Sequence, residues 1–138
     1  LNELAEAYDL FPVKFRTQPT SISCQHTCVA MLVGVAPAEI LRRWPQQLST
    51  TDVLKVLASY GYSTLYTPVE FAHMIPGVYL GTVGQTMEQC HAVVLVSGNP
   101  DIPGYEQLIL HDPMEDAPQI EPEVVGVINV LKVLPPMQ

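Results

Sequence analysis

The sequence predicts an α+β domain in which helices come first and an antiparallel sheet follows. Up to Gly61, apolar residues recur at helical spacing between capping and stop signals. Beyond it, short runs rich in Val, Leu, Ile, Tyr and Thr are divided by Gly, Pro and Asn. Composition sets the scale: 138 residues, 48% hydrophobic and 14% charged, with a mean hydropathy of +0.21, suit one packed core and not a disordered chain. One domain over residues 1–138 is expected, helical over 1–61 and β-rich over 62–138, with the helices packed on the sheet.

Residues 2–10 (NELAEAYDL) read as a short amphipathic helix with Asn2 as N-cap, stopped by Pro12, and residues 13–16 (VKFR) as a brief strand. A polar loop, TQPTSIS, follows. CQHTCVAMLVG from Cys24 reads as a mostly buried helix with Ser23 at its N-cap and Gly34 at its end. Pro37 suits the first turn of a second helix running to Trp44. A third spans about Thr51 to Tyr60, where Ser49 and Asp52 have capping-box spacing, Val53, Val56 and Leu57 share a face, and Gly61 closes the end. The strand runs are YSTLYT, GVYLGTV, HAVVLV, YEQLIL and VINVLKVL, with one helical turn over residues 69–74.

The charge is uneven. Of the formal net −8, residues 101–138 carry −6, from seven acids and one base. Nothing here could neutralise a nucleic-acid backbone, so no nucleic-acid partner is expected. The acidic run Asp112–Glu123 reads as a solvated loop, one that would favour neutral or basic partners. No apolar run approaches the ~20 residues of a membrane span. Three cysteines cannot all pair within one chain, so this is not a disulfide scaffold. Leu1 in place of an initiator Met reads as the start of a processed or trimmed chain, and the compartment is not written in it.

Cys24 sits where the polar loop becomes a helix, and a thiol in a first helical turn feels the positive end of the macrodipole. That is a position for a nucleophile. Gln18, six residues upstream, is close enough for its amide to join the Cys24 N–H in holding a developing oxyanion. His91 opens HAVVLV, and Asp112 follows YEQLIL and precedes Pro113; a base and the carboxylate that orients it are therefore at hand.

If those two runs form an antiparallel hairpin, opposed residues have a constant index sum. A sum of 203 sets His91 opposite Asp112, whereas 202 sets it opposite His111. The expected register is 203, because a carboxylate fixes an imidazole tautomer better than a second imidazole does. The alternative with His111 as partner stays open. Cys28, one turn below Cys24, and Cys90, on the opposite strand face from His91, read as core packing. Met31 and Trp44 read as core, and His26 and His73 as surface or lining residues. C-x-H-x-C is not a zinc spacing, so neither a metal nor a cofactor is expected.

QPTSISCQHTCVAML, the CHAVVLV run and the LHDP run end together resemble papain-like cysteine peptidases of small bacterial type. The likeness is to bacteriocin-processing, double-glycine leader peptidases and to papain-like effector proteases of plant-pathogenic bacteria, over about residues 16–113. The resemblance implies Gln18 as oxyanion-hole residue, Cys24 as nucleophile, His91 as general acid/base and Asp112 as orienting residue. It also implies a peptide or protein substrate and a bacterial protein, either exported or the cytoplasmic peptidase domain of a larger chain. Gln25 departs from the Gly or Trp common after the nucleophile, so substrate preference does not carry over. The same site would serve a deamidase, a transglutaminase-like enzyme or another amide hydrolase. A peptide-binding module with an inactive site is the non-enzymatic alternative.

Overall fold

A computed structural model describes residues 13–20, 23–69, 77–84, 90–97, 108–120 and 127–136. Helix α1 (Cys24–Val33) ends at Gly34, whose φ of 78° lies in the left-handed region; the Gly34 and Val35 N–H groups both close back on the Ala30 carbonyl. Helix α2 (Pro37–Arg43) starts on its proline. Helix α3 (Thr50–Ser59) carries the expected capping box: the Asp52 N–H donates to Ser49 Oγ, and the Ser49 N–H donates to the Asp52 carboxylate.

The sheet comprises β1 (Ser63–Tyr66), β2 (Gly77–Gly84), β3 (Cys90–Ser97), β4 (Ile109–His111), β5 (Gln119–Ile120) and β6 (Val127–Leu134), in the spatial order β1-β6-β2-β3-β4-β5. Every neighbouring pair is antiparallel. Residues 13–16 join no strand, in contrast to the expectation for VKFR. Phe15 instead lies against the helix-side core and the His111 ring. The expected helix over residues 2–10 and most of the turn over 69–74 lie outside the described residues.

Both faces of the central strands are covered. Val78 and Leu80 of β2, Ala92, Val94 and Val96 of β3, and Val133 of β6 pack with α1 and α3. On the other face Tyr79, Val93, Leu95 and Val130 form a second buried cluster. Double coverage explains why HAVVLV reads as an unbroken apolar run instead of alternating. It also explains Gly81, where a Cβ would come within 3.2 Å of the Val93 side chain on that second face.

The β3/β4 register differs from the expected one. Val94 pairs His111, Leu95 pairs Leu110 and Val96 pairs Ile109, an index sum of 205 and not 203. Ser97 is thus level with Leu108 and not with Glu106. Both sums are odd, so the slip of two leaves each side chain on its expected face. Position 112 becomes a diagonal neighbour of His91 instead of a direct one. A second consequence is that β4 stops at His111, and the start of β3 runs past it. A notch is left at that end of the sheet, beside the first turn of α1.

Candidate active site

Cys24, His91 and Asp112 converge in this notch. The imidazole Nε2 of His91 is 2.5 Å from Asp112 Oδ1, with both side chains about one-fifth exposed. The other ring nitrogen, Nδ1, is left for Cys24, whose side chain is hydrogen-bonded to His91. Asp112, and not His111, is therefore the partner of His91.

A local turn aims the carboxylate. The Met114 N–H donates to Asp112 Oδ1 at 2.9 Å, and the Glu115 N–H donates to the Asp112 carbonyl at 3.0 Å, with Pro113 between them. Proline fixes φ at the second position of such a turn, and an Asx-type bond holds the side chain over it. The Pro113 carbonyl in turn accepts the Gln18 N–H at 2.8 Å, which ties the loop before α1 to the turn after β4.

The electrostatics follow from these contacts. Burial pushes the Cys24 thiol up, but the His91 hydrogen bond, the Ala92 N–H, the His91 charge and the Gln25 N–H outweigh it and leave the thiol below its ordinary value. Burial pulls His91 down, yet its bonds to Asp112 and Cys24 and their charges hold the imidazolium up to about 9. Asp112 is held below the usual carboxylate range: burial opposes this, and the bonds to His91 and Met114 and the His91 charge prevail. The lowered thiol and the raised imidazole both shift in the direction that favours a thiolate–imidazolium pair over the neutral pair.

The Ala92 and Gln25 N–H donors were not legible as motifs. Ala92 is free to serve because β4 does not extend along β3 that far. Gln25 is free because Ser23, at the N-cap position, makes no capping bond with its side chain. The Ser23 hydroxyl donates to the Thr20 carbonyl and accepts the Thr20 N–H, so it leaves the first-turn donors open.

Gln18 is brought to the site through its backbone. Its Nε2 donates to the Thr20 carbonyl at 2.7 Å, while Oε1 is buried and has no partner. Cys28 is fully buried in the core, and burial together with the charges of Cys24 and Asp112 pushes its thiol far up, so it is inert as a nucleophile. The side chain of Cys90 and all of His73 lie outside the described residues. His111, 5% exposed, faces the helix-side core against Phe15 and is held neutral by burial, down to about 4. His26 is not the surface or lining residue expected: it is 1% exposed and bonded to the Trp44 carbonyl. Trp44 itself is only half-buried. Among the described residues no group of His, Cys, Asp and Glu is disposed to hold a metal ion.

No protein-family model matches the sequence, and no curated protein matches it either. Solved structures do match. One is a double glycine motif protease from an AMS/PCAT transporter in complex with the leader peptide, with a TM-score of 0.61 and 16% identity, covering 89% of this chain and 91% of that one. Another is the peptidase domain of Streptococcus ComA, a bifunctional ABC transporter of a quorum-sensing pathway, with a TM-score of 0.63 and 14% identity, covering 89% of this chain and 98% of that one. The fold is that of a papain-like peptidase domain. In this fold Cys24 and His91 meet between the start of α1 and the start of β3. No single helix among the described residues is long and apolar enough to cross a membrane.

Proposed function

We propose that the chain is a cysteine peptidase that hydrolyses a peptide bond through a Cys24 thioester. The observation that carries this reading is the continuous hydrogen-bonded chain Cys24–His91–Asp112 at the N-terminal turn of α1, with the thiol lowered and the imidazole raised. The thiolate attacks the carbonyl carbon, and the carbonyl oxygen takes the negative charge. The Cys24 N–H and one Gln18 amide hydrogen hold that oxyanion. As the tetrahedral intermediate collapses, the C–N bond breaks and His91 gives its proton to the leaving amine. Water then attacks the thioester, His91 accepts its proton, and the thiolate leaves. Asp112 keeps the imidazole oriented with Nδ1 toward Cys24 throughout.

One structural neighbour, the double glycine motif protease in complex with the leader peptide, guides the choice of substrate class, a leader-bearing peptide with a double-glycine motif. The test is incubation with synthetic peptides carrying that motif, read by mass spectrometry, alongside iodoacetamide labelling with peptide mapping. Cleavage at one bond, lost in Cys24→Ala, is expected, with Cys24 labelled first near neutral pH. Preferential labelling of Cys28 or Cys90 would overturn the reading. Ammonia release without backbone cleavage would transfer it to side-chain amide hydrolysis by the same residues.

A further inference from the structure

We propose that His26 is a positioning residue: its Nε2–H, donated to the Trp44 carbonyl, pins the uncapped first turn of α1 so that the Gln25 N–H stays aimed at Cys24 Sγ. The inference rests on the peptidase reading of Cys24 and deepens it. His26 lies two residues after Cys24, in the same turn, and is almost completely buried. The bond to the Trp44 carbonyl is 2.7 Å long, and a carbonyl acceptor requires the proton on Nε2. Nδ1 is buried and has no partner, so this one bond is the polar anchor of the ring.

The acceptor is itself held. Trp44 ends α2, and its N–H closes on the Ile40 carbonyl. The Arg43 guanidinium lies 4.8 Å from the centre of the Trp44 ring and 5.4 Å from that of Tyr60, and Arg43 Nη1 donates to the Tyr60 hydroxyl at 2.9 Å. Tyr60 ends α3. The ends of α2 and α3 thus form a clamp, and His26 extends it to the turn that carries the nucleophile. That turn needs holding from the side because Ser23 does not cap it. Without the tether the first turn can fray, the Gln25 N–H moves off Sγ, and the distance to His91 and the Ala92 N–H on β3 is no longer fixed.

The titratable groups acting on this site among the described residues are His91, Asp112 and Cys28, and none is altered by replacing His26. The readout is therefore the pH dependence of Cys24 alkylation by iodoacetamide, which needs no substrate. In His26→Leu the midpoint is expected to rise by about half a pH unit, with alkylation well below the wild-type midpoint slowed roughly threefold. His26→Gln, which can carry a donor to the Nε2 position, restores the wild-type profile, and the shorter His26→Asn does not. Fluorescence of Trp44, the single tryptophan, checks that the end of α2 stays packed in each variant.

A wild-type profile in His26→Leu overturns the proposal. Should that variant fail to fold, equal behaviour of the Gln and Asn variants overturns it, and separation between them supports it. An ordinary-thiol profile in the wild type would overturn the peptidase reading and this proposal together. A low wild-type midpoint with no shift in the variants overturns this proposal alone.

Discussion

Replacing Asp112 with Asn separates charge from geometry at the site. An Asn oxygen can accept both the His91 Nε2–H and the Met114 N–H, so the turn that aims the side chain is kept. What is lost is the negative charge beside the imidazolium. A hydrogen bond to a charged partner contributes about 1.5–3 kcal/mol where solvent is largely excluded, and both side chains here are only about one-fifth exposed. At about 1.4 kcal/mol per pH unit, that is about one to two units. The thiolate–imidazolium pair is lost at high pH when His91 gives up its proton, about 9 in the intact site. The alkaline limb of the activity profile is therefore expected near 9 in the wild type and roughly 7–8 in Asp112→Asn. The limb belongs to the coupled pair, so it is read as a macroscopic value. Peptide hydrolysis across pH gives the profile, and NMR titration of labelled histidines gives the His91 transition without a substrate. An alkaline limb that stays near 9 would refute the reasoning, and a loss of thermal stability as large as the loss of turnover would make Asp112 a structural residue.

Gln18→Ala is expected to lower turnover about 10²–10³-fold, the usual effect of one oxyanion donor, while leaving Cys24 alkylation unchanged; an equal fall in both would place Gln18 outside the oxyanion hole. Ser49→Ala removes one half of the α3 capping box, and urea melts should show a loss of about 1 kcal/mol with activity retained. His111 is expected to contribute to the loss of stability in acid. Its folded value, about 4, lies below the ordinary 6.5, so between those values the unfolded chain binds a proton that the native chain refuses. Stability contributed by the neutral ring is full above about 6.5 and falls as pH drops toward 4, by up to roughly 3 kcal/mol. The raised His91 acts instead above about 6.5 and the lowered Asp112 below its ordinary carboxylate range, so His111→Leu should flatten the pH dependence of urea midpoints between 6.5 and 4.

Periodicity and stop signals made the helices and most strands legible, because each depends on contacts within a few residues: the Ser49–Asp52 box, Pro37 at a helix start and the left-handed Gly34 are all local. Cys24 at a helix start and Asp112 before a proline are local features as well, which is why both could be singled out as candidates from the sequence. The β3/β4 register was not local. It depends on pairing between residues far apart in the chain, and the expected index sum was wrong by two. The preserved parity rescued the pairing of His91 with Asp112. His26 was misjudged for the same reason, since its partner lies 18 residues away on another helix end.

The least legible part of the site is its backbone donors, and these make the arrangement more than three side chains in proximity. A capped α1 would have one of its first-turn N–H groups satisfied by the Ser23 side chain, for a gain of about 1 kcal/mol. Ser23 stands at the cap position but turns its hydroxyl to Thr20, and the Gln25 N–H goes to the thiolate instead. β4 ends early in the same way, and the Ala92 N–H of β3 goes to the thiolate as well. Two interruptions of regular secondary structure, one at a helix start and one at a strand end, therefore face the same sulfur. The turn after β4 then links them: Asp112 orients His91, and the Pro113 carbonyl holds the loop that carries Gln18. A substitution that repaired either interruption, by capping α1 or extending β4, would be expected to raise stability and weaken the thiolate together.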